Sequence, residues 1–532
     1  MSAFSTLLDE FFEEWWSAHP TQATAVGLHD FDGDLERRDA ASLAALAGRL
    51  REWLEAFEAA EPADVGERVD RTLVADQLRW RLHLLEQRRQ HTRDPLLYIQ
   101  PVLDSLYIMA VREYAPGAVR ALRAAERMAR LPRALDEARQ NLTAPARVLT
   151  ETAVLVARSG VALVSQVLPV YLGAAVQDDL RQFEEWDAAC RAAEDALLGF
   201  ARWLEEDALP RATPDFAAGR DTFERQLRWE HALPYGADEI AAFGDELVRD
   251  TVAELEELAV GLGGTHGWLA YARELEDADV AHDLVGAYAA AVDAARAFVL
   301  ERDLVTLPPG EVLEVTPTPE HLRPLVPYAA YLPPAPYEPD QRGLFFVTPS
   351  GGGKPARPMA SIASTTVHEA YPGHHVQLCR ANRAGSAPRR VFWTPVFAEG
   401  WALYCEDLMW EEGFLTDPRQ RFLQLKDRLW RACRVVADVG LHTAGWNPER
   451  AQDLLVGQAG LDPASAEAEV RRYCATPTQP LSYAVGRREI LRLRERWRAR
   501  AGEAAPLREF HDALLSWGTI PPALVAEAMG LG

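Results

Sequence analysis

The chain of 532 residues is 48% hydrophobic and 26% charged, an ordinary globular composition with far more length than one small core needs. Its formal net charge of −24 repels phosphate backbones and anionic lipid, which argues against nucleic acid and membrane as partners. Five cysteines (Cys190, Cys379, Cys405, Cys433, Cys474) lie scattered without CxxC spacing, so they are expected as reduced, buried thiols.

The first twenty residues, MSAFSTLLDEFFEEWWSAHP, lack a basic n-region and carry acids among their aromatics, so no signal peptide is expected. No stretch of about 18 apolar residues stands out as a bilayer span, and a cytoplasmic protein is expected. From there to about residue 305 the chain reads as helix. LLDEFFEEWW, ASLAALAGRLREWLEAF, RTLVADQLRWRLHLLEQRRQ and DEIAAFGDELVRDTVAELEELA repeat apolar residues every three or four positions and are rich in strong helix formers. Helices packed on helices, a mainly α fold, follow.

Near 305 the texture changes to proline, aromatic and β-branched residues. Short strands are expected at about 311–316, 328–332 and 343–348, forming a small sheet, with SGGGKPARP as a mobile loop. GGGK is not a phosphate loop, because the GxxxxGK[ST] spacing and its following helix are absent. Helices resume at about 360 and run to the end, apart from the loop ATPTQPLSYAVG. This reading divides the chain into 1–305 and 306–532, the two parts being intertwined or separate.

HEAYPGHH, from His368, begins like the zinc signature HExxH, in which histidines four apart share a helix face and the glutamate lies beside the metal's water. Proline occupies the place of the second histidine. On a straight helix, i+6 points about 120° away and i+7 lies roughly 10 Å up the axis, so neither could share a metal with His368. Proline breaks the helical ladder and glycine tolerates unusual backbone angles, which resolves the conflict. If Pro372 and Gly373 bulge out, His374 becomes the second ligand; if Tyr371 is extruded too, His375 does. The first is preferred. FAEGWALYCED then offers Glu399 as third ligand, 31 positions after His368, with Glu406 two turns later on nearly the same face as a further ligand or a support. A glutamate in so apolar a segment is costly to bury unless paired or metal-bound.

HExxPGHH followed by FxEGWALYxE resembles the bacterial domain-of-unknown-function family 885. GLFFVTP, RVVADVGLHTAGW, PTQPLSYAVGRREI and FHDALLSWGTIPPALV extend the resemblance over nearly the whole chain. The family looks like the carboxypeptidase-Taq-type and oligopeptidase-type zinc peptidases. That likeness implies a large helical shell around a groove, with 1–305 as the groove wall and the small sheet beside the zinc helix. It further implies His368, His374 or His375, and Glu399 as zinc ligands, and Glu369 as the base. The Pro-Gly insertion is the departure from the peptidase pattern.

Three protein ligands leave a position for a water of lowered pKa, whose proton Glu369 would accept and pass to the leaving amine. Tyr483, in PLSYAVG, is the candidate oxyanion donor, with His442 in reserve. An extended peptide would add to a strand edge at Gly343, Phe345 and Val347, and Arg434 and Arg487 are candidate clamps for a terminal carboxylate. The expected function is a zinc peptidase on short peptides, a carboxypeptidase or oligopeptidase. The alternative is a metal-dependent lyase or amide-cleaving enzyme on a biosynthetic small molecule. A homo-oligomer is compatible with the sequence.

Overall fold

The computed structural model describes residues 2–277, 283–318, 329–349, 359–502 and 504–532. Among the described residues the protein is mainly α-helical with one small sheet, and the loop SGGGKPARP lies outside them. Two compact units form: Met1–Phe216 with Ala335–Asp340, and Ala217–Pro334 with Gln341–Gly532.

In the first unit, helices Leu96–Val111, Gly117–Asn141, Arg147–Ala162 and Leu180–Trp203 pool Ile99, Leu106, Met128, Leu135, Ala157, Leu197 and Phe200 into one core. The helical run Arg147–Tyr171 is long and apolar enough, by length and composition, to cross a membrane. This corrects the expectation that no stretch is; Arg158, Ser159, Ser165 and Gln166 break up its apolar run and obscure it in the sequence. Its Ala153, Ala157, Val164 and Leu168 join the core of the first unit.

The second unit starts at 217, whereas composition suggested a division near 305. Phe223, Leu227 and Ile240 pack with Val396, Val435, Val439 and Val485, so the helices before 305 share a core with those after it. The proline-rich texture marks the sheet, not a boundary. The elements of this unit that bear on the site are α1 (Ala237–Gly261), α2 (Leu284–Glu301), β1 (Val312–Pro317), β2 (Ala329–Leu332), β3 (Arg342–Val347), α3 (Met359–Glu369), α4 (His374–Ala381), α5 (Pro395–Glu411), α6 (Pro418–Thr443), α7 (Pro463–Ala475) and α8 (Ser482–Ala501).

The strands fall within about a residue of the expected bounds, but their order is β1-β3-β2. β3 is central, pairing parallel with β1 (Val315 opposite Phe345) and antiparallel with β2 (Tyr331 opposite Phe345). Both its sides are used. The expectation of a free edge at Gly343, Phe345 and Val347 is therefore corrected; Phe345 and Val347 are fully buried, Phe345 edge-on to Tyr288 of α2.

Three of the site-bearing helices begin alike. Thr394, Asp417 and Asp462 accept from backbone N–H groups in the first turn, and Pro395, Pro418 and Pro463 follow each cap. α5 is apolar on every side and buried over nearly its whole length, as a central helix must be. It crosses α8 in backbone contact: a Cβ added to Gly486 would lie 1.8 Å from the Val396 carbonyl oxygen, and one on Gly400 would lie 2.5 Å from Gly486 Cα. The glycines of AEGW and AVGR thus bring Glu399 and Tyr483 to the same place.

Candidate metal centre

All the residues of the centre belong to the second unit. The HEAYPGHH helix is broken: α3 ends at Glu369, residues 370–373 leave the helix, and α4 begins at His374. The break spans four residues rather than the two-residue bulge expected, and the Tyr371–Pro372 peptide is cis. Gly373 is required there. Its N–H donates to the Val367 carbonyl at 3.1 Å, and a Cβ would lie 2.0 Å from the His368 oxygen and 2.2 Å from that of Val367. Trp401 of α5 pins the loop by donating its indole N–H to the Pro372 carbonyl at 2.9 Å.

The chain so folded returns His374 beside His368, ring edge to ring face with centroids 4.9 Å apart. Glu399 of α5 meets both: its Oε2 lies 3.6 Å from His368 Nε2 and 3.3 Å from His374 Nε2. One donor atom from each of the three residues falls within 4.8 Å of the others. Donors on a tetrahedral zinc stand about 3.4 Å apart, so two imidazoles and a carboxylate at these separations fit that ion. Behind them, His368 Nδ1 lies 2.8 Å from Glu406 Oε1, and the Ser364 hydroxyl donates to Glu406 Oε2 at 3.1 Å. Nδ1–H donated to a carboxylate leaves the Nε2 lone pair facing the centre. Glu406 therefore stands behind His368 and not among the three converging donors.

The centre pairs a buried imidazole with buried carboxylates, and their titrations shift together. Burial opposes charge on His368, yet hydrogen bonds to Glu399 and Glu406, aided by Glu369, raise its pKa to about 10. Burial pushes the Glu399 carboxyl up, but His368 and His374 outweigh it and hold it far below the usual range. Glu369, the last residue of α3, acts electrostatically on His368 and on Tyr331.

Tyr483 stacks on the His368 ring at 6.2 Å with planes 17° apart. Burial and the Glu399 charge raise its pKa against the pull of Arg434, Arg472 and Arg431, so its phenol is a proton-bearing donor at neutral pH. The Arg434 guanidinium sits 4.8 Å from the Tyr483 ring centre. Its Nε donates to the Tyr473 hydroxyl at 2.9 Å and its Nη2 to Glu469 at 3.1 Å, and Tyr483 is a further partner of its charge.

Other expected site residues go elsewhere. Arg487 donates its Nε to Asp407, which also accepts from Arg421 and Gln424, so it belongs to a buried ion network instead of a carboxylate clamp. His442 is fully enclosed: Ala218 N–H donates to its Nδ1 at 3.2 Å and its Nε2 donates to the Tyr473 carbonyl at 3.0 Å. Both ring nitrogens are engaged with backbone, which corrects its reserve role as oxyanion donor. His375 turns away from Glu399 and places its Nε2 2.8 Å from Glu311 Oε2.

Glu311 is the residue that sequence reasoning missed. In PPGEVLEV it looks like any surface acid before a strand, and only the fold buries it. Its Oε2 also accepts from the Tyr371 hydroxyl, and Arg296 of α2 donates to its Oε1 at 3.1 Å. Burial raises its pKa, but hydrogen bonds from His375, Tyr371 and Arg296 and the His375 charge outweigh that and lower it.

Two solved structures share this fold nearly end to end. One is a putative lipoprotein of unknown function from Shewanella oneidensis, with TM-score 0.82 and 23% identity, covering 99% of this chain and 100% of that one. The other is a putative lipoprotein from Colwellia psychrerythraea, with TM-score 0.85 and 20% identity, covering 99% and 98%. No curated protein matches this chain significantly. The model of a family described as bacterial protein of unknown function (DUF885) matches residues 20–529, and the chain belongs to that family.

Proposed function

We propose that this protein is a zinc-dependent hydrolase that cleaves amide bonds in short peptides or small amides, as a carboxypeptidase or oligopeptidase does. The convergence of His368 Nε2, His374 Nε2 and Glu399 Oε2, with Glu369 adjoining, carries the reading. These three side chains would hold the ion. When bound, zinc supplies Lewis acidity to a water and to the carbonyl of the scissile amide.

The other groups have separate tasks. Glu369 takes the proton of the attacking water and hands it to the departing amine. The Tyr483 hydroxyl donates to the carbonyl oxygen as negative charge develops there. Glu406, itself steadied by Ser364, fixes the tautomer and direction of His368. Arg434, its guanidinium on the Tyr483 ring, would supply the positive charge for a substrate carboxylate, a role closed to Arg487.

Metal analysis of the purified protein, with and without chelator, tests the reading alongside a screen of dipeptides, blocked peptides, C-terminally amidated peptides and non-peptide amides. One zinc per chain and chelator-sensitive cleavage of at least one class are expected. Protein that takes up no zinc, or cleaves equally well after complete metal removal, would overturn it.

A further inference from the structure

Two histidines stand side by side at the start of α4, and only one of them faces His368 and Glu399. Neighbours on a helix point about 100° apart, so whichever residue begins α4 decides which imidazole reaches the centre. The break before it has few helical hydrogen bonds to hold its register. A shift of one residue would exchange His374 for His375. Something outside the helix has to select between them.

The selecting group is visible in the packing. Glu311, its side chain 2% exposed, receives the Tyr371 hydroxyl from within the break and lies 2.8 Å from His375 Nε2 just after it. On the far side of the same ring, His375 Nδ1 lies 3.0 Å from the Tyr331 hydroxyl of β2. Gly343 of β3 leaves room for that pair: a Cβ there would come 2.8 Å from the Tyr331 oxygen and 2.9 Å from His375 Nδ1. Arg296 balances the buried charge from α2. A carboxylate so enclosed is costly unless paired, and these partners come from elements on both sides of the break.

We propose that Glu311 is a positioning residue of the metal centre: by holding Tyr371 and His375 on either side of Pro372-Gly373, it sets the register in which His374 meets Glu399 and His368. Its carboxylate does not touch the ion or the substrate. The pair of histidines is then a division of labour, His374 toward the metal and His375 toward the anchor. The inference rests on the metal binding proposed above, but not on the reaction proposed for it.

The test measures zinc affinity by chelator competition and the visible absorption spectrum of the cobalt-substituted protein, for the full-length chain and two variants. Glu311→Gln keeps the size of the side chain but loses the charge; Tyr371→Phe removes one donor without altering the shape. Glu311→Gln is expected to weaken zinc binding about 10- to 100-fold, as loss of a group that orients a ligand does, and to alter the cobalt spectrum. Tyr371→Phe should shift both in the same direction by less, and it decides the matter if the first variant fails to fold. A fall in thermal stability with unchanged zinc affinity and cobalt spectrum would reduce Glu311 to a structural role and overturn the proposal alone. Wild-type protein that bound neither zinc nor cobalt would overturn the metal reading and this one together.

Discussion

Adjacent identical residues with opposite surroundings are the clearest residue-scale feature of this protein. His374 points its Nε2 at Glu399, whereas His375 is fully buried against Glu311 and Tyr331. His374→Ala is expected to lose stoichiometric zinc, and His375→Ala to keep it with weaker affinity. Full retention of zinc in both proteins would mean that neither is the ligand. Glu369→Gln should keep zinc and lower kcat by about 100- to 10,000-fold, the usual contribution of a general base. Unchanged turnover in that protein would rule out the base assignment. Tyr483→Phe should cost about 100- to 1,000-fold in kcat with little change in zinc content, as removal of an oxyanion donor does; steady-state kinetics on any substrate from the screen would check it. His368, Glu369 and Glu399 could be picked out in the sequence because ligand spacing and an acid in an apolar segment carry their own chemical logic. Glu311 could not, since nothing local distinguishes an acid that the fold will bury from one left in water.

At the scale of elements, close backbone approaches organise the centre. α5 carries Glu399, Glu406 and Asp407 in an almost wholly buried helix, and each carboxylate has its own basic or imidazole partner. The α5–α8 crossing depends on Gly400 and Gly486. Gly486→Ala, with its Cβ 1.8 Å from a backbone oxygen, forces the helices apart and is expected to destabilise the protein by on the order of 3 kcal/mol, read from urea unfolding. The same displacement would move Tyr483 away from His368 and lower kcat in whatever protein still folds. A stable Gly486→Ala protein of normal activity would contradict the crossing described. Sequence texture located the strands to within about a residue, but it read SYAVG as loop where α8 already begins at Ser482. It could not order the strands, because alternation along β3 reads the same whether its neighbours are strands or solvent.

On the scale of the whole molecule, buried neutral histidines tie stability to pH. His511 donates its Nδ1–H to the Leu304 carbonyl at 2.7 Å and accepts the Tyr404 hydroxyl at 2.8 Å. Burial is the largest cause lowering its pKa from 6.5 to about 4. His231, held between the Thr394 and Thr478 hydroxyls, is lowered by burial from 6.5 to about 3. Between those values the unfolded chain takes up protons that the folded one refuses. Their contribution is thus complete above about pH 6.5 and is lost as pH falls toward the folded values, about 3 kcal/mol for His511. In urea unfolding at pH 7.5, 6 and 5, lowering the pH should cost the wild type more stability than it costs His511→Gln. An equal loss in the two proteins would remove His511 from the account.

The sequence by itself determined the helical class, the strand positions and the break within HEAYPGHH, and it singled out the glutamate that meets His368 and His374. Each of these depends on local periodicity, on the backbone limits of proline and glycine, or on the chemistry of a metal site. Only the tertiary structure decided the rest: that the second unit begins at 217, that β3 is central, that His442 and Arg487 are structural, and that His374 rather than His375 faces Glu399. Those outcomes depend on which partners arrive from distant parts of the chain, and the Glu311 anchor, 64 positions before His375, is one of them.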